Sequence, residues 1–290
     1  MTAYDLDGRP LGRTFTLRGE EGTATEIRAI AVDEDRRIWA VDAGSACVRA
    51  YSVSGAQVGR VGSLGDPDAD RPGALGDPAG IAVQGVESET QVLISRRGHR
   101  RHALLVLAPG DASGETPVPR SLVPGGDPQA MFRNLAGVAL AGERILACEA
   151  GTGTIQVFRR GEFLFSIPLP ALGQRGREAS GSPRLEPRLV SPLPDGRMLV
   201  ACGGASGSAL LLLEAGGGLA AVLAENGTEE GRVHLPTGLA VEEGPALPNT
   251  RIAVLDRDAD RIQVFTLDGR CYGSFLDPQE LDRGRGPEPD

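Results

Sequence analysis

Apolar and polar positions alternate along this chain in runs too short for helices. The stretch Thr250–Leu276, TRIAVLDRDADRIQVFTLDGRCYGSFL, shows the pattern most fully. Arg251–Leu255 is apolar and β-branched, Asp256–Asp260 is a polar turn, and Arg261–Phe265 alternates apolar with polar residues. Asp268-Gly269 is a dipeptide that favours a tight hairpin, and Cys271–Leu276 reads as a closing strand. Just upstream, Pro236–Glu242 (PTGLAVE) adds another short apolar run. The spacing therefore predicts a unit of four short strands joined by tight turns.

The unit recurs. First-strand anchors fall at Ile30, Ile81, Val138, Leu189 and Leu239, at intervals of 50 to 57 residues. Third-strand anchors fall at Tyr51, Leu107, Phe158, Leu213 and Phe265, at intervals of 51 to 56 residues. Four strands in about fifty residues fit a propeller blade, whereas solenoid coils are shorter and often carry helix. A twisted sheet that is apolar on both faces cannot bury them alone, and stacking against its neighbours buries both. No convincing amphipathic helix is present; the best candidate, Pro278–Arg285, is short and polar. The N-terminal Ala3–Gly12 matches Val264–Gly273 position for position, with Asp7-Gly8 on Asp268-Gly269. It reads as an outer hairpin without an inner one. The census is five complete units and half of a sixth, so the ring is either five-bladed with an added hairpin or an incomplete six-bladed one. Residues 1–276 are expected to form a single domain, and the polar residues 277–290 a disordered tail.

These units resemble NHL repeats. The resemblance rests on Pro236-Thr-Gly-Leu-Ala-Val241, on Val254-Leu-Asp-Arg-Asp-Ala-Asp-Arg-Ile-Gln-Val-Phe265 and on Leu267-Asp-Gly269. Pro78–Val83, Thr154–Phe158, and Ala40–Gly44 with Val48–Tyr51 carry weaker copies. The fourth unit, Leu189–Val222, keeps only Asp195-Gly196 and its apolar strands. The resemblance implies an all-β, NHL-type β-propeller of five complete four-stranded blades plus the N-terminal hairpin. It says little about function, because the family includes binding scaffolds, RNA binders and a few enzymes.

Composition narrows the choice. The net charge of −9 repels a phosphate backbone, and aromatic residues for base stacking make up only 4% of the chain, which disfavours nucleic acid. Every basic residue apart from histidine is arginine, so Schiff-base and P-loop lysine chemistry are excluded. Cys47, Cys148, Cys202 and Cys271 form no C-x-x-C pair and read as buried reduced thiols. Cys148 and Cys202 read as equivalent positions in two repeats. The first residues do not have the pattern of a signal peptide, and no apolar run reaches membrane-spanning length, so a cytoplasmic location is expected.

Two candidate sites remain. Long connections over residues 62–79, 109–136, 170–187 and 224–236 are expected on one rim, where a binding surface would lie. One loop on that rim packs Arg96, Arg97, His99, Arg100, Arg101 and His102 into seven residues, a patch suited to an acidic partner or an anion. The second site belongs to an enzyme reading. Asp33, Asp42, Glu149, Glu242 and Asp256 recur at strand ends, and Asp42, Glu149 and Asp256 would be the ligands if a divalent cation sat in a central channel. In repeats of this kind such acids usually bind neighbouring backbone N–H groups. His234 reads as a packing residue of an inter-blade segment. No G-x-S-x-G is present, and Gly203–Gly207 lies between strands rather than opening a helix. The expectation is a non-catalytic scaffold that binds a protein partner within a larger assembly and needs no cofactor. The alternative is a lactonase-like hydrolase or lyase that holds calcium or zinc.

Overall fold

The computed structural model describes residues 2–4, 9–14, 26–61, 75–85, 90–97, 103–107, 120–122, 132–172, 184–242 and 250–275. The expected tail, residues 277–290, lies outside them. Among the described residues, twenty-two strands form five four-stranded antiparallel sheets and one two-stranded hairpin. Among the described residues the only helix is a 3-10 turn at Arg257–Ala259.

The hairpin pairs β1 (Thr2–Tyr4) with β2 (Pro10–Thr14). The first sheet is β3 (Ile27–Val32), β4 (Ile38–Asp42), β5 (Cys47–Tyr51) and β6 (Gln57–Val61). The second is β7 (Pro78–Gln84), β8 (Gln91–Arg96), β9 (Leu104–Leu107) and β10 (Arg120–Ser121). The third is β11 (Leu135–Ala141), β12 (Arg144–Glu149), β13 (Thr154–Arg159) and β14 (Glu162–Pro168). The fourth is β15 (Pro187–Pro192), β16 (Met198–Cys202), β17 (Ala209–Leu213) and β18 (Leu219–Ala224). The fifth is β19 (Pro236–Val241), β20 (Arg251–Asp256), β21 (Arg261–Thr266) and β22 (Cys271–Phe275). Within each sheet the strands lie in chain order.

Contacts divide the chain into two compact units. One is Phe15–Ile167, with the first three sheets. The other joins Thr2–Thr14 to the chain from Pro168 onward, with the hairpin and the last two sheets. Within the first unit, Val41, Val48 and Val61 of sheet one pack on Ile81, Val92, Ile94 and Leu105 of sheet two. The opposite face of sheet two, with Ala82, Leu93 and Leu104, packs on Val138, Ile145 and Phe158 of sheet three. Within the second unit, Leu199, Ala201, Leu210 and Leu212 of sheet four pack on Ile252, Val254 and Phe265 of sheet five. Each described interface thus sets one face of a sheet against the opposite face of the next, as period-two side chains require.

The register is shared by all five sheets. Each first strand begins with a bulge, and its first residue pairs with the last residue of the second strand. The third-strand anchors Tyr51, Leu107, Phe158, Leu213 and Phe265 all pair four residues before that last residue. Two expectations shift by one residue. Ile30, Ile81, Val138 and Leu239 pair two residues before the end of the second strand, but Leu189 pairs one before it; Val190, opposite Val200, holds the anchor's place. Cys202 ends its strand and so matches Glu149, not Cys148. A one-residue offset puts Cys148 and Cys202 on opposite faces of their sheets. The fourth unit offers two adjacent apolar residues at the anchor, so its pattern could not fix the register.

The hairpin keeps the outer-strand register beside its turn and slips by one residue beyond it, where Thr2 pairs with Thr14 although its counterpart Gln263 pairs with Ser274, in Arg13's place. Tyr4 pairs with Pro10 as Phe265 pairs with Cys271. The predicted Asp-Gly turns place Gly196 and Gly269 at φ of 88° and 82°, left-handed conformations that glycine adopts without a Cβ clash.

Candidate functional site

One backbone bond recurs in every sheet. The residue after the second strand donates its N–H to the carbonyl just before the first strand: Ala43 to Glu26, Arg97 to Asp77, Ala150 to Asn134, Gly203 to Glu186, and Arg257 to Leu235. The last residue of the second strand lies beside this clasp. Across the five sheets that residue is Asp42, Arg96, Glu149, Cys202 and Asp256, and all five are buried.

The three acids use their carboxylates on the clasp. Asp42 Oδ1 accepts from the Glu26 and Ser45 N–H groups at 3.0 and 3.3 Å. Its Oδ2 lies 3.1 Å from Arg49 Nη2. Glu149 Oε2 accepts from Arg133 N at 2.6 Å, and Oε1 from Asn134 N at 2.7 Å and Gly151 N at 2.9 Å. Asp256 accepts from His234 N at 3.0 Å and Leu235 N at 2.7 Å. Each acid therefore caps the segment that enters its own sheet, satisfying N–H groups that the ladder leaves open. Asp33 and Glu242 lie at the other end of the strands, after first strands rather than second ones. Asp33 accepts from Arg37 and from Trp39 Nε1, and Glu242 forms a fork with Arg251. Burial pushes the Asp33 carboxyl up, but the Trp39 and Arg37 donors outweigh it and hold the group below its ordinary range. Among the described residues no group of three or more His, Cys, Asp and Glu side chains is placed to hold a metal ion.

In the fifth sheet two further residues of the repeat motif hold the entering segment. Arg261 Nη2 donates to the Glu229 carbonyl at 2.8 Å and the Arg232 carbonyl at 3.1 Å. Gln263 accepts from Gly231 N at 2.8 Å and donates to the Arg232 carbonyl at 2.6 Å. The Arg and Gln of the RIQVF run thus fix the long connection over residues 224–236. The His234 ring is exposed, with Nε2 3.9 Å from Asp258 Oδ2. In the basic loop, Arg96 closes β8 and is buried, while Arg97 is exposed. His99, Arg100, Arg101 and His102 lie outside the described residues.

Exposed apolar side chains break the repeat symmetry. Ile30 and Val32 of β3 are 52% and 58% exposed. The residues in Ile30's place in sheets two to four, Ile81, Val138 and Val190, are 8%, 8% and 7% exposed. On the same face of sheet one, Ala40 and Tyr51 of the next two strands are buried. The bare part of that face is therefore its innermost strand. Sheet five departs on its opposite face. Leu255 is 40% exposed, whereas Val41, Ser95, Cys148 and Ala201 in the same place are fully buried. Sequence reasoning missed these residues because Ile30 and Leu255 obey the repeat.

The chain is a β-propeller. It is similar in fold to the solved structure of streptogramin B lyase, with a TM-score of 0.58 at 16% identity over 95% of this chain and 75% of that one. A nidogen/laminin complex structure matches with a TM-score of 0.62 at 15% identity, over 89% and 82% of the two chains. The structure of BBS1N in complex with ARL6DN matches with a TM-score of 0.53 at 13% identity, over 88% and 68%. No protein-family model and no curated protein matches the sequence. Among the described residues no helix is long and apolar enough to cross a membrane.

Proposed function

We propose that this chain is a non-catalytic, NHL-type propeller of the cytoplasm that binds another protein, as a subunit or accessory factor of a larger assembly. The observation that carries the reading is the bare innermost strand of sheet one. Ile30 and Val32 project from a rigid, four-stranded sheet, and the matching Ile30 position is covered in the next three sheets. Covering a side chain of this size is favourable by about 1.5–3 kcal/mol when burial is complete. Two exposed apolar side chains on one face of an ordered strand form a patch that a partner would cover. The nidogen/laminin and BBS1N–ARL6DN structures support the reading as propeller-like folds solved in protein complexes.

The competing reading is a metal-dependent hydrolase or lyase, and it draws on the fold shared with streptogramin B lyase. Its carboxylates would be Asp42, Glu149 and Asp256. Each of these already accepts at least two backbone N–H bonds, so a calcium or zinc ion would compete with the clasp for the same oxygens.

The test compares the native mass of the tagged chain, isolated from its own host, with that of the Ile30→Asp/Val32→Asp variant. The reading expects a heteromer above the 30.2 kDa monomer for the wild type. It expects a monomer for the variant, with an unchanged unfolding midpoint. A wild-type monomer carrying one equivalent of calcium or zinc, lost on Asp256→Asn, would favour the enzyme.

A further inference from the structure

We infer that the rim shared by sheets two and three binds an acidic polypeptide segment through Arg97 and Arg133. The inference goes beyond the protein-binding reading and uses a different surface. It is argued within the first compact unit alone.

Three observations converge. First, the fold brings the two arginines to one stretch of rim. Ser95 Oγ donates to the Ala136 carbonyl at 2.5 Å, which ties the end of β8 to the start of β11. Arg97 follows Ser95 by two residues, and Arg133 precedes Ala136 by three. A chain advances at most about 3.6 Å per residue, so the two backbone positions lie within roughly 25 Å, the span of about seven extended residues. Both backbones are pinned: Arg97 N donates to the Asp77 carbonyl at 2.9 Å, and Arg133 N donates to Glu149 at 2.6 Å.

Second, both residues are exposed, and among the described residues neither guanidinium has a hydrogen bond or an ion pair. The described acids at this rim of the unit are engaged elsewhere. Glu26 and Asp77 pair with Arg28, Asp42 pairs with Arg49, and Glu149 is held by three backbone N–H groups. Third, the charge at the clasp is inverted here. The residue that closes the second strand is an acid in sheets one, three and five, but in sheet two it is the buried Arg96. In a chain of net charge −9 this rim therefore carries uncompensated positive charge, which steers an acidic segment toward it.

The occupant follows from the donors. An exposed guanidinium takes a carboxylate through two parallel N–H bonds, so Arg97 and Arg133 fit two acids spaced along one extended segment. Nucleic acid fits less well. Phe132, the aromatic residue beside Arg133, is buried and offers no ring for base stacking.

The experiment follows a fluorescein-labelled decapeptide of alternating Glu and Ala by fluorescence anisotropy, in 50 and 300 mM salt. The inference expects the full chain to bind it, and more weakly at the higher salt. It expects Arg97→Ser/Arg133→Ser to weaken binding about five-fold or more at low salt, with an unchanged unfolding midpoint. Arg36→Ser/Arg144→Ser removes the same charge from exposed arginines at the opposite rim and should bind as the wild type does. Ile30→Ser/Val32→Ser should also bind the peptide normally, so failure here and failure of the protein-binding reading are told apart. No binding, or equal losses in the two arginine variants, would overturn the inference. A 20-nucleotide single-stranded RNA bound more tightly than the peptide, and released by Arg97→Ser/Arg133→Ser, would assign the rim to nucleic acid and overturn the acidic polypeptide.

Discussion

Glu149 is the most demanding test of the clasp. Its carboxylate is fully buried and accepts three backbone N–H bonds, from Arg133, Asn134 and Gly151. A hydrogen bond to a charged group contributes about 1.5–3 kcal/mol, and a buried donor left unmatched costs a similar amount. Arg133, Asn134 and Gly151 are solvent-exposed residues, so water can reach part of what Glu149→Ala releases. The expected loss is about 3 kcal/mol, near the value of one to two such bonds. With a urea slope of about 2 kcal/mol per M, the midpoint falls by roughly 1.5 M. Glu149→Gln keeps the shape but turns an NH2 group toward a donor, and should lose about half as much. The single tryptophan, Trp39, lies in the same compact unit and reports its unfolding by fluorescence. Amide hydrogen exchange at 133, 134 and 151 should accelerate in both variants. A change of less than about 0.5 kcal/mol in Glu149→Ala, with those three amides unaltered, would refute the capping role.

Repeat position and exposure should separate matched substitutions: Ile81→Ala should lose about 2–4 kcal/mol and Ile30→Ala less than about 1, measured by denaturant unfolding. Gly80→Ala and Gly238→Ala should both destabilise. A Cβ at Gly80 would meet Ser95 Oγ at 2.8 Å and the Ala136 carbonyl at 3.1 Å, backbone of the next sheet, and at Gly238 it would meet Leu255 Cβ at 2.9 Å, an atom fixed to the backbone of the paired strand. Thiol chemistry should be graded in the same way. Burial pushes the Cys47 and Cys148 thiols above their ordinary value of 9.0, so both should resist alkylation in the folded protein. The unfolded thiols ionise above pH 9 while the folded ones stay protonated, so stability should fall as pH rises past 9. The slope should approach about 1.4 kcal/mol per pH unit for each such thiol, and Cys148→Ala should reduce it. A flat profile between pH 8 and 11 would contradict this.

Much of the fold was legible because burial imposes a period of two on every strand and turn chemistry punctuates the strands. Asp268-Gly269 and Asp195-Gly196 marked turns that the structure builds, and the third-strand anchors hold their register in all five sheets. The register failed in the fourth unit, at Leu189-Val190 and at Cys202, where the apolar pattern is degenerate. The site was less legible. The recurrence of Asp42, Glu149 and Asp256 was visible, but a carboxylate that caps backbone N–H groups and one that binds a cation look alike in sequence. Exposure is set by what packs next door, so Ile30 and Ile81 cannot be told apart along the chain. Sheet order, not residue type, makes Ile30 and Leu255 different.

The central claim is that the bare innermost strand of sheet one is covered by another protein. The direct measurement is the labelling rate of Ile30→Cys, in a Cys271→Ser background, in the purified chain and in the complex isolated from its host. The account predicts rapid labelling of the free chain and labelling slowed by about ten-fold or more in the complex. Equal rates in the two states would contradict it.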